Sequence, residues 1–220
     1  MKPRVSHQKT AALTLVEVLV VIVVLFFLAV TFLDSGSSSV GRKAAQRINC
    51  ANNLKQIGLS YRVWEGDHGD KYPMQTSITN GGTMELANGG NAWINFCVMS
   101  NELFKPKVLF CPADTDKTFA TNFTTDFNNS KISYFVGLDA EDANPRMFLS
   151  GDDNFAIGGV PVKSGLLEFS TNAAIAWTAE RHVNAGNIGL SDGSVISTTS
   201  SFLQRMLVET GGATNRLAIP

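Results

Sequence analysis

The chain has 220 residues, 44% hydrophobic and 17% charged, with a formal net charge of −1 and a mean hydropathy of +0.05. A slightly acidic balance with no basic stripe excludes nucleic acid as a partner. Once an apolar N-terminal stretch is set aside, the remaining length suffices for one domain with a sizeable core.

A short basic head carrying Lys2, Arg4 and Lys9 comes first, followed by residues 13–33, apolar apart from Thr14, Thr31 and Glu17. At about 1.5 Å per residue such a run makes a helix roughly 31 Å long, which predicts a transmembrane helix over 13–33. Helix is the expected conformation because a chain in lipid must satisfy its own backbone hydrogen bonds. Glu17 is the informative residue, since an acid inside such a segment costs ~2 to 3.5 kcal/mol on insertion scales and points to a function. A secretory signal peptide does not fit: the apolar run is too long and no Ala-x-Ala-like site follows it.

The stretch Ala11-Ala12-Leu13-Thr14-Leu15-Val16-Glu17-Val18-Leu19 resembles the N-terminal processing site of type IV pilins and type II secretion pseudopilins. Ala12 stands where that family usually has Gly, and Leu13 where it usually has Phe. The resemblance implies a leader, residues 1–12, which a prepilin peptidase cuts between Ala12 and Leu13 before methylating the new amine. It also implies that Glu17 meets the N-terminal amine of a neighbouring subunit in a filament. Such a pair offsets two desolvation costs, and removing one partner of a buried pair costs ~3 to 5 kcal/mol. The implied location is the bacterial inner membrane, crossed once, with a cytoplasmic N-terminus and an extracytoplasmic C-terminal domain. The implied partners are the prepilin peptidase, other pilin-like subunits and the inner membrane.

Gly and Ser in Asp34-Ser-Gly-Ser-Ser-Ser39 weaken the helix there. From Val40 an apolar stripe resumes at Ala44, Ile48, Ala51, Leu54, Ile57, Tyr61 and Trp64, spaced every three or four residues. Residues 34–68 are thus expected to be the soluble half of the N-terminal helix, stopped by Gly66-Asp67-His68-Gly69-Asp70 and Pro73. Residues 69–220 are expected to form the extracytoplasmic domain. Residues 74–107 read as loops and short elements, with Ala92–Met99 either strand or short helix. Val108–Asp114 reads as a strand ending at Pro112. Further strands are expected at 132–137, 166–169 and 173–179. The acids of 139–142 and the pair Asp152-Asp153 read as solvated loops.

Cys50-Ala-Asn-Asn-Leu-Lys-Gln-Ile-Gly58 and Cys111-Pro-Ala-Asp114 resemble segments of a bacterial pseudopilin-like subfamily. Three cysteines in an extracytoplasmic domain allow one disulfide. Cys50–Cys111 is preferred because each stands at the edge of a resembling segment, although spacing alone leaves the connectivity open. Asp114 and Asp116 are weak calcium candidates, lacking the fuller acidic loop of such a site. No CxxC pair suggests zinc, and with only His7, His68 and His182 a transition-metal site is under-supplied.

Near the C-terminus, Asp192-Gly193 between Ile188–Leu190 and Val195-Ile196 predicts a two-residue type I′ hairpin with positive φ at both central positions. His182, nine residues and then Asp192-Gly193 resemble the H-X9-DG segment that accompanies prepilin-type processing sites in one bacterial group. The His182 ring is expected to hold the strand's start by bonding backbone or Asp192. Gly189-Leu-Ser-Asp-Gly193 also matches a nucleophile elbow, but a strand follows where that motif needs a helix. Residues 201–208 read as a short terminal helix.

The expected fold class is α+β and pilin-like: one long N-terminal helix, a transmembrane half plus a soluble half, packed on an antiparallel sheet. The expected function is a structural filament subunit, with no enzyme activity and no cofactor. The alternative is a membrane-tethered extracytoplasmic module that binds a polysaccharide, for which Trp93 is the contact candidate.

Overall fold

A computed structural model of the chain describes residues 14–34 and 39–220. The leader and the Ala12–Leu13 bond therefore lie outside the described residues. The chain divides into two compact units, residues 1–42 and 43–220.

In the first unit, α1 spans Leu15–Asp34. Thr14 starts it: its carbonyl accepts the Val18 amide at 3.2 Å. The expected single long helix is corrected here, because α1 ends after 20 residues and a separate helix, α2, covers Ser39–Asp67. The transmembrane span is corrected as well. Among the described residues no helix is long and apolar enough to cross a membrane, so a single-pass inner-membrane protein is not supported. Glu17 interrupts the apolar side chains of α1, and the uncharged run over residues 18–33 rises only about 24 Å, against a hydrocarbon core of about 30 Å.

In the second unit, α2 buries Cys50, Leu54, Ile57, Tyr61 and Trp64. That spacing of four, three, four and three residues keeps one face inward. The predicted stripe holds from Leu54 onward, but Ile48 is 61% exposed and the inward position one turn before Leu54 belongs to Cys50. Short helices follow: α3 at Ala92–Val98, α4 at Ser100–Leu103, and several 3-10 turns. In α3 the buried residues Ala92, Asn95 and Phe96 recur at helical spacing. The strand expected over 108–114 is instead a 3-10 turn, Pro106–Leu109, with Pro106 in its first positions. Proline's fixed φ suits a helical start, and its missing N–H does not suit a sheet.

Six strands form an antiparallel sheet in the order β5-β9-β1-β2-β7-β8. They are β1 Tyr134–Gly137, β2 Phe148–Asp152, β5 Gly165–Ser170, β7 Ala185–Leu190, β8 Val195–Thr199 and β9 Thr214–Ile219. A smaller antiparallel sheet joins β4 Val160–Pro161, β3 Phe155–Ile157 and β6 Ile175–Trp177. The large sheet is covered on both faces. Tyr134, Val136, Leu149 and Ala218 pack with α2. Phe135, Ile188, Leu217 and Ile219 pack with Phe155, Trp177 and helix α5, Ser200–Glu209. The alternation Tyr134-Phe135-Val136 follows the two-residue period of a strand.

Two features depart from the sequence expectation. The β7–β8 turn closes with the Gly193 amide on Leu190 O and the Leu190 amide on Ser194 O, both at 2.9 Å. Only Gly193 has positive φ, at 82°. The loop is therefore three residues with a left-handed glycine last, not a type I′ pair. The second is β9, which no sequence signal marked and which sits inside the sheet between β5 and β1.

Candidate functional site

The structure concentrates chemistry at two places, the start of α1 and a buried cluster beneath α2.

At α1, Glu17 stands three residues into the helix and bonds back to its cap. Its Oε2 accepts the Thr14 amide at 2.8 Å and the Thr14 hydroxyl at 2.9 Å, while Thr14 Oγ1 accepts the Glu17 amide at 3.3 Å. This is a capping box, which satisfies donors that a helix start leaves orphaned. Those Thr14 bonds hold the Glu17 carboxyl below its ordinary value.

The buried cluster draws on four separate segments. Cys50 of α2 and Cys111, just before Pro112, are joined by a disulfide with Cα atoms 5.2 Å apart. His182 follows β6 in a loop, its side chain 1% exposed, with Nε2 3.5 Å from Cys111 Sγ and 3.6 Å from Asp152 Oδ2. The two residues after it, Val183 and Asn184, both have positive φ, 55° and 57°. That region is uncommon for any side chain and costly for a β-branched one. Asp152 ends β2 and is fully buried. Its Oδ2 accepts the Asn187 amide at 2.7 Å and the Asn187 side chain at 2.9 Å. Asp152 Oδ1 and His182 Nδ1, both buried, have no hydrogen-bond partner among the described residues.

A β-bulge aims Asp152. The β2–β7 register shifts between Phe148 and Ser150. Leu149 lies on the α2 face, yet a Cβ on Gly151 would meet Phe135 and Ile188 on the opposite face. Bulges re-aim side chains in this way, and Asp152, next along, turns under α2. Burial pushes its carboxyl up to about 7, against the lowering effect of the Asn187 bonds and Arg181. Burial, helped by the charges of Arg47 and Arg181, pushes His182 down to about 4.

Beside the cluster, Arg181 reaches Asp114 Oδ2 at 2.9 Å, Ser133 O at 3.0 Å, and Asp153. Lys117 Nζ completes the network at 2.9 Å from Asp153. Asp114 Oδ2 also accepts the Ser133 hydroxyl, and its Oδ1 accepts the amides of Asp116 and Lys117. Both oxygens of this calcium candidate are thus engaged by protein donors, while Asp116 is exposed. Asp152, read from sequence as solvated, is fully buried, and Asp153, read likewise, is half-buried with its side chain 6% exposed.

The other sequence-singled residues lie elsewhere. The aspartate beside His182 is Asp152, whereas Asp192 is exposed and accepts the Ser194 amide at 2.8 Å. Ser191 is buried, its hydroxyl on Met147 O and its carbonyl accepting Tyr72. Trp93 is half-buried, edge-on to Phe127. Asp152 is the cluster member that sequence reasoning missed, because Gly151-Asp152-Asp153 reads locally as a solvated turn whereas Asp152 closes the strand Phe148–Asp152.

No family model, curated protein or solved structure matches the chain.

Proposed function

We propose that the chain is a pseudopilin-like structural subunit of a type II secretion or type IV pilus-like filament. In this reading a prepilin peptidase cuts between Ala12 and Leu13 and methylates the Leu13 amine, and the mature chain assembles with pilin-like subunits. The observation that carries it is the surface of α1. Its large apolar side chains are exposed around the helix, from Leu15 at 80% through Phe26 and Phe27 at 65%. A helix apolar on all sides is stable only when something covers it, and α1 helices of neighbouring copies supply matching apolar cover. Glu17 is the one charge between Leu15 and Val30 and lies exposed at the helix start. There it suits the Leu13 amine of another copy.

The test is intact-mass analysis and electron microscopy of the protein from its native host. The expected result is a chain lacking residues 1–12, one methyl heavier, and present in filaments from which Glu17→Val is excluded. An uncut chain found only as monomers overturns the proposal.

A further inference from the structure

We infer that Cys50, Cys111, His182 and Asp152 form a zinc site when the disulfide is reduced. This inference concerns the domain's interior and stands independently of the filament role.

The geometry is that of a four-ligand site with one edge closed by a covalent bond. One ligand atom from each residue lies within 4.8 Å of every other. Zinc bound at 2.0–2.3 Å by N, O and S donors in a tetrahedron places ligand atoms about 3.3–3.8 Å apart. The His182–Cys111 and His182–Asp152 separations, 3.5 and 3.6 Å, are already of that length. The two sulfurs, bonded to each other, must part, and the remaining separations, all within 4.8 Å, adjust by about 1 Å or less.

The donor set matches the metal. Two thiolates, an imidazole and a carboxylate suit zinc's preference for S and N ligands. Asp152 Oδ1 has no other engagement among the described residues, and Oδ2 is already oriented by Asn187. Such outer bonds are what position a ligating carboxylate. Charge is also provided for: two thiolates and one carboxylate around Zn²⁺ leave a single net negative charge, and Arg47 and Arg181 are close enough to act on His182.

The chemistry balances. A dithiol reductant gives two electrons and two protons to the Cys50–Cys111 bond, which breaks to two thiols while the reductant leaves as its own disulfide. Zn²⁺ then binds as the two thiols release their protons.

The experiment uses the full-length chain, reduced with dithiothreitol, freed of it by anaerobic desalting, and mixed with Co²⁺ or Zn²⁺. Expected are one metal per chain, tetrahedral visible bands and a thiolate-to-cobalt charge-transfer band. All are absent from the oxidised chain, retained in Cys97→Ser and lost in Cys50→Ser. X-ray absorption at the zinc edge of the wild-type chain, which needs no variant to fold, is expected to show two sulfur and two nitrogen or oxygen neighbours. A reduced chain that takes up no stoichiometric metal, a metal shell without sulfur, or a spectrum abolished by Cys97→Ser overturns the inference.

Discussion

Arg181 Nη2 lies 2.9 Å from Asp114 Oδ2, and this buried ion pair ties the Cys111-Pro-Ala-Asp114 segment to the loop that carries His182. The Arg181 side chain is 11% exposed and that of Asp114 is 1%. Replacing Arg181 by Met leaves Asp114 without its cation and Asp153 with Lys117 alone. The expected loss is ~3 to 5 kcal/mol, because an unpaired buried charge keeps its desolvation cost. Arg146→Met, which breaks the exposed pair with Glu209, is expected to cost ~0 to 1 kcal/mol. Denaturant midpoints of the two variants check the contrast.

The Asp152–His182 pair predicts a hidden pH dependence in the disulfide-intact, metal-free chain. The folded Asp152 value is raised to about 7, so its contribution to stability is full at low pH and lost as pH rises through 7. The folded His182 value is lowered to about 4, so its contribution is present above its ordinary value of 6.5 and lost as pH falls toward 4. Between about pH 4 and 6.5 the two slopes have opposite sign and cancel. Asp152→Asn removes one of them. Its stability relative to wild type is expected to rise with pH across that window by ~1.4 kcal/mol per pH unit. Unfolding curves at half-unit pH steps measure this, and parallel profiles for the two proteins sink the prediction.

Two glycines with different surroundings give opposite expectations. A Cβ on Gly137 would stand 1.7 Å from Phe148 O, where β1 and β2 meet backbone to backbone. Gly137→Ala is therefore expected to cost ~3 kcal/mol or more, the upper range for overpacking. Gly58 lies within α2 against the β7–β8 turn, and its Cβ would sit 3.5 Å from Gly193 Cα, an ordinary contact. Gly58→Ala is expected to stabilise by ~0.5 to 1 kcal/mol through helix propensity. Thermal melts of both variants decide the signs.

Gly193 itself holds φ at 82° with open space where a Cβ would go. The cost of Gly193→Ala is therefore conformational rather than steric crowding, ~1 to 2 kcal/mol. Gly193→Asn, whose side chain tolerates the left-handed region, is expected to recover part of it. Equal losses in the two variants would count against a backbone origin.

Local signals in the sequence located α2 from Leu54 to Trp64, the β1 and β5 strands and the turn at Gly193. Helical period, strand alternation and turn chemistry each operate over a few neighbouring residues, so they can be read without knowing the fold. Even there, the buried face of α2 includes Cys50 and leaves Ile48 exposed. The turn's type also depended on how β7 and β8 register, which the Asp-Gly pair does not specify.

Other features were decided only in three dimensions. Strand β9 is stabilised by pairing with β1 and β5, both distant in sequence, and its own residues carry no strong strand pattern. Asp152 reads as one of two solvated acids until a bulge turns it beneath α2, where burial raises its proton affinity and His182 and the two sulfurs converge. By itself the sequence determined which short segments bend, coil or extend, because those choices rest on adjacent residues. Which four side chains share one desolvated space depended on long-range packing, because the energy of a buried charge is set by whatever the whole fold brings beside it.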